Sequence, residues 1–307
     1  MISPTVTIQI PTYNQKQYIK EALDSALAQT YENLQVIVAD DCSPNYDIFD
    51  YLNEYKDNPK VIIHRNEKNL GRVGNYRNTL YNLVKGKWFV NLDGDDFFIN
   101  NTFIEKGINS INLSESEIVV LQADALLFKI KENDLENTPL AEDAIEVKGI
   151  DYLQYLDNGV GFTHASLLFN THYAKVADFY NIDVLDADYF SFLKILKYGF
   201  IIFCDQKVYE WRQHENQESL SININKILAK DMAFKDLKKN YADVNLNLTK
   251  KMFYILNYNL YTQIVNFAFN QGVSLININT VLKKTKMEKK YLIFLATKVY
   301  HSIKIKL

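Results

Sequence analysis

Two cysteines, Cys42 and Cys204, are all the chain of 307 residues contains, and neither belongs to a CxxC pair. That argues against a disulfide-stapled scaffold and fits a reducing compartment. No run of about 18 apolar residues occurs, so no membrane-spanning helix is expected. Met1-Ile2-Ser3-Pro4 shows no basic segment leading into an apolar one, so no secretory leader is expected and the chain reads as cytoplasmic. Internal repeats and Pro/Gly-rich linkers are missing too. Gly86-Lys87 lacks the upstream glycine and the Ser/Thr of a Walker loop, and Gly71 with Gly74 gives only GxxG. There is no HExxH and no Cys/His zinc spacing. Kinase, dehydrogenase and zinc-hydrolase readings therefore have no support.

What is present is a chain with 48% hydrophobic and 23% charged residues, enough for one large core or two modest ones. Its net charge of −3 hides an asymmetry. Residues 222–307 hold 15 Lys against 4 acidic residues, a balance of +11, so residues 1–221 carry −14. A basic tail on an acidic body suggests an anionic partner for the tail.

The first hundred residues alternate strand and helix. Val6–Ile10 reads as a strand ending at Pro11. Tyr18, Ile19, Ala22, Leu23, Ala26 and Leu27 form a helical stripe, with Asn14 and Gln17 as its cap. Strands follow at Leu34–Ala39, Val61–His64 and Trp88–Leu92, with helices at Asp47–Lys56 and Tyr76–Lys85 between them. Near-continuous apolar strands separated by helices predict an α/β fold with a mostly parallel sheet covered on both faces. Beyond residue 100 the pattern is less regular. Ile118–Lys131, Thr163–Phe169, Phe200–Cys204 and Val208–Trp211 read as strands, Ile150–Leu156 and Asp188–Tyr198 as helices, Glu132–Asp143 as a loop, and the stretch after Ser221 as helical.

Open parallel sheets bind ligands beyond the carboxyl ends of their strands. Here those ends carry Pro11-Thr12-Tyr13-Asn14, Asp40-Asp41-Cys42-Ser43, His64-Arg65-Asn66 leading to Asn69-Leu70-Gly71-Arg72, and Asp93-Gly94-Asp95-Asp96. Hydroxyls, amides, carboxylates and arginines converging on one crevice suit a nucleotide. Three carboxylates within four residues repel one another, and a hard divalent cation bridging to a diphosphate would relieve that. The same four residues also read as a plain Asp-Gly turn.

Five segments in order carry a resemblance: Pro11–Asn14, Asp41-Cys42-Ser43, Asn69-Leu70-Gly71, Arg77-Asn78 and Leu92-Asp93-Gly94-Asp95-Asp96. This set resembles the family-two glycosyltransferases of the GT-A fold. Asp188–Leu193, Trp211-Arg212-Gln213-His214 and Ser219-Leu220-Ser221 extend the likeness to about residue 221. The resemblance implies a nucleotide-sugar-binding half over 1–100, an acceptor-binding half over 101–221 and a helical extension over 222–307. It implies a UDP-sugar donor held through Pro11, Thr12, Tyr13, Asn14, Asp41 and Asn69, with Asp41 reading the uracil edge. Arg72 would lie near base or phosphates, and Asp93 with Gly94 beside the ribose. Asp95 would hold Mn²⁺ or Mg²⁺, with Asp96 and His214 completing the set. Asp188 would be the general base of an inverting transfer. Weaker acceptor contacts fall to His164, Asp186 and Trp211.

Two positions depart from the family pattern. The acid usually found just before the base is Ala187 here, so Asp186 is a second candidate for the base. Cys42 replaces a glycine and is read as a small buried residue, tolerable where φ is not positive. His214 is a metal or phosphate contact or a structural bond to backbone, His164 an acceptor contact or a structural residue, and His64 a core residue.

The basic tail suits a solvated helical surface or an anionic membrane. Tyr291–Ala296, flanked by Lys289-Lys290 and Lys298, could rest in the headgroup region on the inner face of the plasma membrane. Basic-aromatic interleaving alone does not make a nucleic-acid partner. The expected activity is transfer of a hexose or N-acetylhexosamine to a saccharide or lipid-linked saccharide in surface polysaccharide assembly. A sugar-phosphate nucleotidyltransferase and a catalytically silent scaffold are the alternatives.

Overall fold

The computed structural model describes residues 4–124, 136–141, 143–153, 162, 164–215 and 224–244. The chain divides into two compact units, residues 1–214 and 215–307.

The first unit is built on a nine-stranded sheet among the described residues. Its strands are β1 (Val6–Thr12), β2 (Leu34–Asp40), β3 (Val61–Arg65), β4 (Trp88–Asn91), β6 (Ile118–Gln122), β7 (Asn137–Ala141), β8 (Ala144–Lys148), β9 (Leu167–Asn170) and β10 (Phe200–Cys204), while β5 (Phe97–Phe98) pairs elsewhere. The order is β3-β2-β1-β4-β9-β6-β10-β8-β7. The first four run parallel, β9 runs against both its neighbours, and β6 and β10 are parallel again. This is the mixed, mostly parallel sheet of a GT-A fold. After β1 the chain steps outward to β2 and β3 and then returns to β4 on the other side of β1. The switch point between β1 and β4 opens a crevice at their carboxyl ends.

Every residue of β1 and β4 is buried, including the polar Thr7, Gln9, Thr12 and Asn91, and Gln9 Nε2 donates to Asn91 Oδ1 where the two strands pair. β1 runs past its expected stop through Pro11 to Thr12. The β4 ladder ends at the Gln9–Asn91 pair, so Pro11 withholds an N–H where that ladder has already stopped.

Helix α1 (Ile19–Leu27) buries Ile19, Ala22, Leu23 and Ala26 on the face its sequence marks. The expected Asn14 cap does not form, because the cap position is Tyr18 and its side chain makes no capping bond. Asn14 adopts φ 57° and its N–H donates to Ser43 Oγ at 2.8 Å, which commits it to the turn after β1. Helix α2 (Ile48–Tyr51) is short and capped by the Asp47 carboxylate. Helix α3 (Arg72–Asn82) starts four residues earlier than its apolar stripe suggests. Gly71, at φ 77°, supplies the left-handed residue that lets the chain turn straight into it.

Helix α4 (Phe103–Leu113) leads to β6. The polar segment expected to be a loop contains β7 instead, which among the described residues is an edge strand paired with β8 alone. Its mostly exposed side chains and Pro139 disguise it, and both are ordinary for an edge. Helix α5 (Gly149–Tyr152) covers part of the helix expected over Ile150–Leu156, and residues 154–156 lie outside the described residues. The strand expected over Ile118–Lys131 is shorter: β6 stops at Gln122, the chain turns at Asp124 with φ 58°, and residues 125–131 lie outside the described ones. The strand expected over Thr163–Phe169 opens as a 3-10 turn at His164–Ser166 before β9 begins. Helix α6 (Thr171–Val176), capped by the Asn170 side chain, is too short to show a helical period in the sequence. Helix α7 (Ala187–Ile195) follows and ends in a 3-10 turn over Leu196–Tyr198.

A second, two-stranded sheet pairs β11 (Tyr209–Glu210) with β5, just after the acidic turn. Cys204 is free and buried. Cys42 corrects its reading: it is only half-buried and sits at φ 62°, a backbone conformation that favours glycine. His64 is likewise half-buried rather than core, with Nε2 3.1 Å from Asn66 Oδ1.

In the second unit, helix α8 (Ile224–Asn240) carries Lys226, Lys230, Lys235, Lys238 and Lys239. Ser219–Ser221 and the Tyr291–Ala296 block lie outside the described residues. Among the described residues no helix is long and apolar enough to cross a membrane.

Candidate active site

The acidic segment is both things its sequence allowed: a tight turn and a cluster. Asp96 N–H donates to Asp93 O at 2.9 Å, and Gly94 N–H donates to Pro11 O at 3.1 Å. That second bond joins the ends of β1 and β4 across the switch point. A Cβ on Gly94 would meet Gln15 Oε1 at 2.6 Å and Pro11 O and Thr12 Cβ at 3.0 Å, so only glycine lets the turn lie this close to β1.

The three carboxylates then part company. Asp95 Oδ2 lies 2.9 Å from His214 Nε2, and both side chains are about 15% exposed. Asp96 is 5% exposed and accepts the Arg212 N–H at 2.9 Å. Burial, with Asp93 and then Asp95 adding like charge, pushes its carboxyl up to about 8. So Asp96 anchors the segment after β11 (Tyr209–Glu210) that delivers His214, while Asp95 meets the histidine itself. Arg212 packs over the rings of Tyr18 and Phe97 and pairs with Glu21, and the Tyr18 ring lies 5.0 Å from that of His214.

Asp93 takes a third direction. It accepts a short hydrogen bond from the Tyr76 hydroxyl. That hydroxyl also lies 3.0 Å from His164 Nε2, and His164 Nδ1 lies 2.9 Å from Asp188 Oδ2. Asp188 sits in the first turn of α7, and its Oδ1 accepts the Tyr189 N–H at 2.9 Å. Burial opposes the charge on Asp188, yet the His164 hydrogen bond and charge, with Arg72, outweigh it and hold the carboxyl at about 2. Burial also opposes charge on His164, but Asp93 and Asp188 overcome it and raise the imidazole above its usual value. Burial keeps Tyr76 well above the usual phenol range, so its hydroxyl remains a donor.

The remaining marked residues line the crevice with different degrees of access. Asp41 is 2% exposed, and its Oδ1 accepts from Asn66 Nδ2 at 2.8 Å and from Leu70 N–H at 2.9 Å. Asn75 holds Asn66 from behind. Pro11 and Thr12 are buried, whereas Tyr13 and Asn14 are exposed. Asn69 is exposed and its side chain accepts the Gly71 N–H. Arg72 donates to Leu185 O at 2.6 Å, tying α3 to the segment that enters α7. Asp186, the other base candidate, precedes α7, and it is Asp188 that meets His164. Trp211 is exposed, beside the Arg212 anchor.

Asn66, marked by its place at a strand end, turns out to hold Asp41, whereas Tyr76 and Asn75 carry none of the marks by which a site is read from sequence. Tyr76 looks like a core residue of a helical stripe, since its polar partners lie 17 and 88 residues away.

Among the described residues no group of three or more His, Cys, Asp or Glu is arranged to hold a metal. Asp95 and His214 still fit a divalent cation of the size of Mg²⁺ or Mn²⁺. Two donors at right angles about an octahedral ion, with bonds of about 2.0–2.1 Å, lie about 3 Å apart. The observed separation is 2.9 Å. Such ions are commonly held by one or two protein ligands, with substrate phosphates and water completing the shell.

A GT-A sheet with an acidic turn at its switch point and a paired carboxylate across the crevice defines a glycosyltransferase scaffold. The profile of glycosyl transferase family 2 matches residues 7–168, and the chain belongs to that family. An uncharacterized glycosyltransferase of Rickettsia typhi is 29% identical over 219 residues, spanning 70% of this chain and 66% of that protein. A second, from Rickettsia felis, is matched over only 36% of its length. The Escherichia coli protein WfaP, a UDP-Glc:alpha-D-GlcNAc-diphosphoundecaprenol beta-1,3-glucosyltransferase, is 36% identical over 114 residues, 37% of this chain and 43% of that one. Residues 1–349 of S. aureus TarS, crystallised with UDP-GlcNAc, superpose with a TM-score of 0.66 at 18% identity, covering 88% of this chain and 76% of that one.

Proposed function

We propose that the chain transfers a hexose or N-acetylhexosamine from a UDP-sugar to a saccharide or lipid-linked saccharide acceptor, with inversion and with the help of Mn²⁺ or Mg²⁺. The observation that carries this reading is the division of labour among the carboxylates. Asp95 is paired with a histidine at metal-ligand spacing, and Asp188 is held ionised on a different element.

Asp95 and His214 would hold the metal, which supplies positive charge to the departing diphosphate. Asp41, buried at the end of β2 with Oδ1 already committed, keeps lone pairs for the N–H of a uracil edge. Thr12, Tyr13, Asn14 and Asn69 surround the same strand ends. Asp188 is the general base: it accepts the proton of the acceptor hydroxyl as that oxygen attacks the anomeric carbon. One base with no second, nucleophilic carboxylate gives direct displacement and inversion, in contrast to a double displacement.

The printed activity of WfaP, a UDP-sugar donor and a diphosphoundecaprenol-linked acceptor, supports the donor and acceptor classes. The UDP and UDP-GlcNAc complexes of TarS and the GDP-Man and Mn²⁺ complex of a Pyrobaculum calidifontis mannosyltransferase were formed on this same fold. A lipid-linked acceptor would give the basic region 222–307 a role at an anionic inner membrane face. If the intact protein fails to sediment with anionic liposomes at low salt, that membrane role is wrong.

Calorimetric titration with UDP, GDP and dTDP, each with and without Mn²⁺, tests the core reading. UDP binding that requires Mn²⁺ is the expected result. No metal-dependent nucleotide binding would overturn it in favour of a silent scaffold.

A further inference from the structure

We propose that His164 is a positioning residue for Asp188, and that it acts as an imidazolium clamped between two carboxylates: Asp188 directly and Asp93 through the Tyr76 hydroxyl. The proposal deepens the transfer reading and rests on Asp188 as the base.

The argument is proton bookkeeping. An ionised carboxylate only accepts hydrogen bonds, and a tyrosine hydroxyl has one proton to give. The Tyr76 hydroxyl touches Asp93 Oδ1 and gives its proton there. What remains toward His164 is an oxygen lone pair, 3.0 Å from Nε2, and only an Nε2–H satisfies it. On the other side of the ring, Nδ1 lies 2.9 Å from Asp188 Oδ2, an ion-pair contact whose alignment falls short of a hydrogen bond, and a bare Nδ1 lone pair that close would still face an ionised carboxylate as acceptor against acceptor. A neutral imidazole has one N–H, so either tautomer leaves one of these contacts as acceptor against acceptor. The doubly protonated ring removes both clashes: Nε2–H meets the Tyr76 oxygen, and Nδ1–H turns the contact with Asp188 into a charge-paired one.

The surroundings agree. Asp93 Oδ2 lies 3.9 Å from Nε2, so two negative groups flank the ring. Arg72 is the opposing positive charge, and Asp96 adds a further carboxyl nearby. Two aromatic rings stand roughly perpendicular to the imidazole, with centroids at 5.6 Å for Tyr76 and 6.4 Å for Phe162, and the side chain is 15% exposed. Little water reaches it to substitute for either partner.

The consequence is a four-residue chain, Asp93–Tyr76–His164–Asp188, that links the end of β4 to the first turn of α7. It fixes the base relative to the turn beside the donor. Asp188 Oδ2 is held by the ring and Oδ1 by Tyr189 N–H, which sets the plane of the carboxylate and the direction of its unused lone pairs. His164 keeps both its protons throughout. When Asp188 accepts the acceptor proton, that proton leaves from Asp188 to water and does not pass through the ring.

The test uses the full chain labelled with ¹⁵N-histidine, with His164→Gln assigning the resonances. At pH 7 the expected spectrum shows both His164 ring nitrogens protonated. A single-proton tautomer at that pH overturns the proposal. In parallel, UDP release from UDP-glucose and UDP-N-acetylglucosamine is followed with Mn²⁺ and water as acceptor. His164→Ala should leave the UDP–Mn²⁺ Kd within about twofold while kcat falls by about tenfold or more. His164→Gln, which restores one donor to Asp188, should recover part of that loss. Unchanged kcat in His164→Ala, in the face of a collapse in Asp188→Asn, overturns the positioning role and leaves the base assignment standing. Full turnover by Asp188→Asn overturns the base assignment, and the positioning role with it, whatever the ring's protonation state.

Discussion

Asp95 and His214 stand 119 residues apart in the chain and 2.9 Å apart in space. The contact depends on the small sheet in which Tyr209 pairs with Phe98 and Glu210 with Phe97. That pairing returns the chain to the acidic turn it left more than a hundred residues earlier. The Asp96–Arg212 backbone bond then fixes the last step before His214. A two-residue ladder and one buried carboxyl thus assemble the candidate metal pair.

Removing either partner should show in metal-dependent nucleotide binding. Asp95→Asn and His214→Ala are each expected to weaken UDP affinity in the presence of Mn²⁺ by at least about tenfold, since even outer-shell changes commonly cost that much. Binding without metal should change little. Calorimetry on the variants reads both numbers, and equal losses with and without Mn²⁺ would show that the pair is not a metal site.

Asp96 should behave differently from Asp95. Asp96→Asn keeps an oxygen for the Arg212 N–H and removes a buried acid, so it should preserve or raise stability. Asp96→Ala leaves that buried N–H unpartnered, a loss of about 1–3 kcal/mol. If His214 is delivered by this anchor, the Ala variant should also bind Mn²⁺–UDP more weakly. Urea midpoints and calorimetry separate the two variants. Identical behaviour would remove Asp96 from the account of how the site is built.

Gly94 offers a steric test. A methyl group there would press on Pro11 O and Thr12 Cβ at 3.0 Å and displace the Gln15 amide. Gly94→Ala should destabilise by about 1–3 kcal/mol, the usual range for forcing atoms into a packed site. Nucleotide affinity should fall with it, because the turn carries Asp93 and Asp95. A variant with unchanged urea midpoint and unchanged UDP binding would mean that the turn relaxes without consequence.

The sequence made the donor half of this site legible for physical reasons. Strands buried on both faces are dominated by apolar residues, so β1, β2 and β4 stand out despite Thr7, Gln9 and Gln35 within them, and their polar ends mark the crevice. Asp93, Asp95 and His214 were reachable because acids crowded in one turn need an explanation and motif order supplied the partner. Tyr76 was not reachable. A buried tyrosine on an amphipathic helix looks the same whether its hydroxyl meets water, backbone or a catalytic chain. β7 escaped for the opposite reason: an edge strand with one neighbour may be polar and may contain a proline, so Asn137–Ala141 resembles a loop. The Asn14 cap failed because asparagine suits both an N-cap and a left-handed turn residue, and spacing alone does not choose between them.

The His164–Asp188 pair should leave a signature in stability against pH. Asp188 titrates at about 2 in the folded protein against an ordinary 3.8, so its contribution is present above about pH 4 and is lost as pH falls through 2. Holding the carboxyl that far below its ordinary value corresponds to about 2 kcal/mol. His164 is raised above its ordinary 6.5, so its contribution is complete below that pH and is lost as pH rises through the higher folded value. The two windows overlap between about pH 4 and 6.5. There the stability gap between the protein and His164→Ala should be widest, and it should narrow toward both acid and alkaline pH. Urea midpoints for both proteins at pH 3, 5.5 and 9 read the gap directly. Salt should shrink it only weakly, because the pair is shielded from solvent. A gap that stays constant across the three pH values would mean that His164 stabilises the fold by packing alone and carries no charge toward Asp188.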